Sequence, residues 1–398
     1  MIPFLREQFN ANFTDEKYAA FIDDLNAYAG EIIPFRIAET PVFIPAVLKQ
    51  KLVHACEEII SVIKRPDYKA LTDRAIPPGL KVPGEEGQSM WLAFDFAICR
   101  DANWQLDPQL IEMQGFPSLF FYQHLLGQKF REHYGVSNEV SHLAGMTENE
   151  YVAHMCNLLL NGHHPDHVIL LEVEPEKQNT RIDFLATFIN TGIRPVCISK
   201  IKKEGRQLFY ELNGKLTPVK RIYNRVIFDE FKQRKDLSCE FNLTEEVDVE
   251  WAGHPNWFFR ISKFTMPFLK NPFVPETIFL HELSTIPLDL ENYVLKPLFS
   301  FSGSGVVFHV TKEAITNVKD PENWILQRKV KYEPIIPSTD GNVKTEIRML
   351  YSWTAGEQDP KLIINMARLS KGEMIGVKFN LNKTWVGGSV GYFEKDPG

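Results

Sequence analysis

The chain has no uninterrupted apolar run of eighteen residues, no cluster of basic residues and no C-x-x-C pair. The first absence excludes a hydrophobic membrane-spanning helix. The N-terminus, MIPFLREQFNANFTDEK, also lacks the basic start and apolar stretch of a signal peptide, so the protein is expected to be soluble and cytoplasmic. With 44 basic against 51 acidic residues and a net charge of -7, the balance argues against duplex nucleic acid as the main partner. An enzyme that handles an anion with a few placed cations remains compatible with that balance. Cys56, Cys99, Cys156, Cys197 and Cys239 are scattered, which indicates neither a disulfide framework nor a zinc site but small core residues in a reducing compartment. Neither G-x-x-x-x-G-K-[ST] nor a G-x-G-x-x-G after a strand is present, so a P-loop and a dehydrogenase-type dinucleotide site are unsupported. What remains is a chain of 398 residues, long enough for two or three domains.

The richest stretch is ENYVLKPLFSFSGSGVVF, residues 291–308. Tyr293, Val294 and Leu295 favour a strand, Lys296 is a lone cation at its end, and Ser300, Ser302, Gly303, Ser304 and Gly305 permit close backbone approach. A Gly/Ser loop beside a fixed ammonium suits polyphosphate. The competing reading is a loop after an edge strand.

Residues 14–63 read as helical, with Thr14 capping a segment that ends near Gly30 and an apolar stripe from 45 onward. The Pro/Gly-rich stretch 75–87 is expected to be a connector or a flap. WLAFDFAICRD and WQLDPQLIEMQGFPSLFF read as two paired strands. Residues two apart on a strand share a face, so Glu112 and Gln114 point together and pairing can bring Asp95 beside them. Two carboxylates and an amide oxygen form a hard-oxygen site suited to Mg²⁺, unless that face is simply the solvated side of a hairpin.

Residues 118–160 read as helical, the last helix opening with the capping box Thr147-x-x-Glu150, and His163, His164 and His167 fall in a Pro-interrupted loop without the geometry of a metal site. HVILLEV, RIDFLATFINTG and RPVCIS then form a strand–helix–strand unit, followed by a hairpin at Asn213-Gly214 and a strand ending at Arg225, a candidate for a substrate anion or a surface ion pair. Residues 256–280 read as a helix carrying Lys263, then a strand. Downstream strands place Glu346 and Arg348 on one face, end at Arg368, and lead to Asn380, Asn382 and Gly387-Gly388.

These residues resemble the ATP-grasp family. Lys263 followed by VPET is similar to that family's first ATP lysine and its turn, and VLKPLFSFSGSGV to its second lysine and Gly/Ser loop. WILQRKV resembles the adenine hinge, which implies that Gln327, Arg328, Lys329 and Val330 line the base and Glu333 holds the ribose. Glu346, Arg348, Arg368 and an asparagine before Gly387, either Asn380 or Asn382, resemble the phosphate-facing set. Asp95 with EMQGFPS resembles the metal strands, Gln114 replacing the usual asparagine. Since the metal hairpin precedes the lysines, the resemblance is to circularly permuted members, the glutathionylspermidine-synthetase-like carboxylate–amine ligases. It implies an α/β (α+β) fold, a circularly permuted ATP-grasp domain with an inserted βαβ pre-ATP-grasp-like domain. The expected divisions are 1–160 (helical region and metal half), 165–255 (βαβ domain) and 256–398 (lysine and loop half). It implies ATP and Mg²⁺ as cofactors. The partners implied are a small carboxylate and an amine, of amino acid, peptide or polyamine type, with no nucleic acid and no membrane. An ATP-grasp phosphotransferase and a nucleotide-binding protein without turnover are the alternatives.

Overall fold

Asp95 and Arg348, 253 residues apart in the chain, stand on neighbouring strands of one antiparallel sheet. The computed structural model describes residues 1–85, 87–299, 305–373, 375–376 and 379–395. The central sheet runs in the order Gly387–Ser389, Lys361–Ser370, Gly341–Ser352, Trp91–Arg100, Leu106–Gln114, and Pro334–Ser338 pairs with Gly341–Ser352 as a hairpin.

Alternation along these strands separates two faces. Leu92, Phe94, Phe96, Ile98, Ile347, Met349 and Tyr351 lie in one apolar cluster with Leu48, Leu52, Ala55, Cys56 and Ile59. The latter form the inner stripe of the helix Ala46–Ile63, so part of the N-terminal ninety residues is the layer behind the sheet. The opposite face is divided. Trp91, Ala93, Leu350 and Ile364 pack with Phe120 and Phe121 at the start of the helix Phe120–Tyr134. Farther along the same strands the face turns polar, with Asp95, Glu346, Arg348 and Arg368.

The continuous apolar run at 168–172 is explained by a four-stranded parallel sheet in the order Glu250–Ala252, Arg221–Asn224, Val168–Glu172, Arg194–Cys197. Every residue of Val168–Glu172 is buried, and the helix Arg181–Thr191 makes the crossover, closed by Gly192 at φ 77°. Asn213 and Gly214, both at positive φ, turn the hairpin Gln207–Leu212 to Lys215–Val219. Thr277–Phe279, Trp324–Arg328 and Tyr293–Pro297 form a third, antiparallel sheet, which carries Lys296.

Residues 118–160 hold two helices, Phe120–Tyr134, ended by Gly135 in a left-handed conformation, and Glu148–Leu160, which opens on the capping box of Thr147 and Glu150. One stretch differs from the sequence reading. Residues 256–280 hold only the single turn Trp257–Arg260 and a 3₁₀ segment Lys263–Phe268 before the strand, since Pro267, Pro272 and Pro275 remove the donors a longer helix needs. Among the described residues no helix is long and apolar enough to cross a membrane.

Candidate functional site

The register of the central sheet builds the site. Arg348 pairs with Asp95, Asp95 with Glu112, and Glu346 with Arg368, so four adjacent strands each contribute charge to one face. A β-bulge follows Asp95, where the ladder with the Glu112 strand shifts. Arg348 grips Asp95 as a fork, Nε to Oδ1 at 2.5 Å and one terminal nitrogen to Oδ2 at 2.6 Å. Arg368 reaches the same Oδ2 at 3.2 Å and also bonds Glu346, whose second oxygen accepts the Tyr332 hydroxyl at 3.0 Å. Gln114 Nε2 donates to Glu112 Oε1 at 2.9 Å. Asp95 is buried, at 1% exposure, so the solvated-hairpin reading does not hold for it.

The two lysines come from elsewhere and meet this face. Lys296 Nζ donates to Gln327 Oε1 at 2.5 Å on the next strand and to the Ile111 carbonyl at 3.2 Å, directly beside Glu112. Lys263 is brought in by Gly115. The Gly115 N–H bonds the Ile261 carbonyl at 2.9 Å, and a Cβ at Gly115 would stand 2.4 Å from the Trp257 carbonyl oxygen, so only glycine permits that approach. The segment is pinned from the other side by Arg260, fully buried, which donates to both oxygens of Glu85 and to Asp73, Lys69 and Thr72. Asn256 holds Val82 and Glu85 in the same way. Val82 and Glu85, in the Pro/Gly-rich stretch, thereby clamp the Lys263 segment.

Electrostatics confirm the proximity. Burial works to raise the Glu112 carboxyl, but Arg368, Arg348, Lys263 and Lys296 together outweigh it and hold the group below its ordinary range. Burial depresses the Lys296 ammonium to about 8, with Lys263 adding to the fall and Glu112 and Glu346 opposing it. Lys263 is lowered by burial against the pull of Glu112. Glu346 is raised, by burial first and by Asp95 and Glu112 beside it, despite Arg368 and Arg348. Arg368 is raised: its three carboxylate neighbours outweigh burial. Two buried donors here, Arg368 Nε and Gln327 Nε2, have no hydrogen-bond partner among the described residues. A cluster of four cations around Glu112, with two neighbouring donors left unsatisfied among the described residues and the Lys296 ammonium lowered to about 8, is arranged to receive an anion.

The remaining sequence candidates are placed as follows. Ser302, Gly303 and Ser304 lie outside the described residues, as does Ser300. Gly305 is exposed at φ 71°, against Pro297. Arg328 is paired with Asp289 and lies over the Tyr293 ring, and Lys329 Nζ donates to the Glu291 carbonyl at 2.8 Å. The backbone N–H groups of both residues are used, toward Glu276 and Asn292. Val330 follows the strand, half-buried. Glu333 pairs with Arg100 at 3.0 Å. Asn380 is enclosed by its own loop, bonding Ser370, Lys371, Gly372, Ile375 and Gly376, whereas Asn382 is exposed in a turn at φ 60°. His163, His164 and His167 face Glu250, the Asp166 N–H and the Pro218 carbonyl, three separate partners, and among the described residues no group of three His, Cys, Asp or Glu side chains is placed to hold a metal. Arg225 is buried against the Phe116 ring and bonds the Pro117 carbonyl at 2.8 Å, close enough to Glu172 to act on it. Tyr332 is the site residue the sequence reading missed. It sits in KVKYEP between Lys331 and Glu333, with no pattern to single it out.

No family model matches this chain, and no curated protein matches it. Among solved structures it is similar to a glutathione synthetase-like effector from Globodera pallida in its apo form, with a TM-score of 0.59, 96% of each chain covered and 10% sequence identity. At that identity the likeness is one of fold: a mixed α/β architecture shared along nearly the whole length.

Proposed function

We propose that the chain is an ATP-dependent ligase of the circularly permuted ATP-grasp class, joining a small carboxylate to an amine or thiol. The observation that carries this reading is the convergence of Lys263, Lys296, Arg348 and Arg368 on Glu112. Three strands and the 3₁₀ segment Lys263–Phe268 supply those cations, and a polyphosphate is the ligand whose charge suits them. The glutathione synthetase-like fold supports the same class.

In such a ligase the γ-phosphoryl group of ATP passes to the substrate carboxylate, and attack by the amine on the acylphosphate releases phosphate. This chain's residues bind and orient. Lys263 and Lys296 neutralise phosphate oxygens, and an arriving polyanion draws the Lys296 ammonium fully into its charged form. Arg368, held by Asp95 and Glu346, offers its unsatisfied Nε to charge developing on the acyl phosphate. Gln327 presents an unpaired Nε2 toward the nucleotide. Glu112 and Gln114 are the donors that fit a Mg²⁺ carried with the nucleotide, where the metal would help neutralise the phosphates. Asp95 does not fit that role while both its oxygens are held by guanidinium groups. Arg225, at the C-terminal edge of the parallel sheet, is the candidate for the carboxylate substrate.

The commitment of Asp95 to Arg348 favours one second reading, a nucleotide-binding protein without turnover. The two are separated by supplying ATP with panels of amino acids, small peptides and polyamines. Release of ADP and phosphate that requires both an acid and an amine supports ligation. ATP binding with no ADP formed in any mixture supports the second reading.

A further inference from the structure

We propose that this site holds a nucleoside polyphosphate mainly through protein cations, with at most one divalent metal ion, and that Asp95 anchors Arg348 and Arg368 instead of ligating metal. The inference rests on the nucleotide reading above and deepens it.

Three carboxylates stand on the charged face, and by donor count alone they would make a Mg²⁺ site. Most of their oxygens are already assigned. Both oxygens of Asp95 receive Arg348 at 2.5 and 2.6 Å, and one also receives Arg368 at 3.2 Å. Glu346 is held between Arg368 and the Tyr332 hydroxyl. Glu112 Oε1 accepts from Gln114. Among the described residues the second oxygen of Glu112 and the amide oxygen of Gln114 carry no hydrogen bond, enough for one ion whose other ligands are water and phosphate. Recruiting Asp95 to a metal would strip a buried guanidinium of its counter-charge. Four cations against three carboxylates already supply part of the neutralisation that a second metal would give.

The test titrates AMP-PNP into the full chain by calorimetry, in EDTA and in excess MgCl₂, and counts Mn²⁺ in the protein–nucleotide complex by electron paramagnetic resonance. Affinities within about tenfold of each other in the two buffers and one Mn²⁺ per complex are expected. Binding that falls about a thousandfold in EDTA, or two Mn²⁺ per complex, overturns the inference and leaves the nucleotide reading intact. Binding in neither buffer overturns both. Asp95→Asn is expected to keep the Mn²⁺ affinity, while Glu112→Gln lowers it about tenfold. Loss of Mn²⁺ from Asp95→Asn alone contradicts the assignment, and the wild-type titration decides the matter should that variant not fold.

Discussion

Two buried arginine networks in this protein look alike and differ in one respect. Arg260 donates from every guanidinium nitrogen, to Glu85, Asp73, Lys69 and Thr72, and is complete. The network of Arg348 and Arg368 with Asp95, Glu346 and Tyr332 is denser in charge yet leaves Arg368 Nε without a partner among the described residues, and Gln327 Nε2, on the residue that holds Lys296, has none there either. A satisfied network fixes the chain in place. An unsatisfied one retains a buried desolvation cost that a ligand can relieve. The same side-chain type therefore serves structure in one region and recognition in the other.

Substitutions should divide along that line. Arg260→Ala is expected to cost about 3–5 kcal/mol of folding stability, since it leaves Glu85 buried without its partner. Chemical denaturation measures this, and a loss below about 1 kcal/mol would erase the distinction. Arg368→Ala should differ in kind: turnover falls about a hundredfold, near 3 kcal/mol in the barrier, with ATP affinity largely kept, over and above the stability lost where buried Glu346 gives up its guanidinium partner. Steady-state kinetics beside the same denaturation series would expose a merely structural role.

Gly115→Ala links the two networks, because the added methyl meets the Trp257 carbonyl and pushes the Lys263 segment away from Glu112. A loss of about 1–3 kcal/mol in stability with weakened ATP binding is expected, and wild-type behaviour in both would remove Gly115 as the positioning contact. Tyr332→Phe removes one hydrogen bond to Glu346 and should cost about 1 kcal/mol, read as a few-fold fall in kcat with KM for ATP unchanged.

The pH dependence has a defined sign. Lys296 is charged below about 8 and neutral above it in the ligand-free protein, so ATP affinity should weaken as pH rises through that value. In Lys296→Met the fall should disappear. Linkage gives the companion result: the unfolded chain keeps the proton to higher pH, so this group makes the fold more stable as pH rises from about 8 toward the ordinary lysine value.

Much of this arrangement was legible in the residues. The helix from 46, the buried run at 168–172 and the Asn213-Gly214 hairpin follow from apolar period and turn chemistry, which are local. That Asp95 and Glu112 are neighbours also followed from strand pairing. The partnership of Asp95 with Arg348 was not legible, because nothing local specifies a pairing 253 residues distant. Alternation could place Asp95, Glu112 and Glu346 each on a face but could not say whether metal or arginine would meet them. The clamp of Glu85 on Arg260 was hidden in a Pro/Gly-rich stretch for the same reason. Tyr332 left no mark because a single aromatic residue between charges has no period.

The most direct test of the account is a calorimetric titration of ATP into the wild-type protein and into Lys296→Met near neutral pH. The account expects one ATP bound per chain, with affinity reduced about tenfold or more in the variant. Equal affinity in the two proteins, or no binding to the wild type, would contradict the claim that the cation cluster is a polyphosphate site.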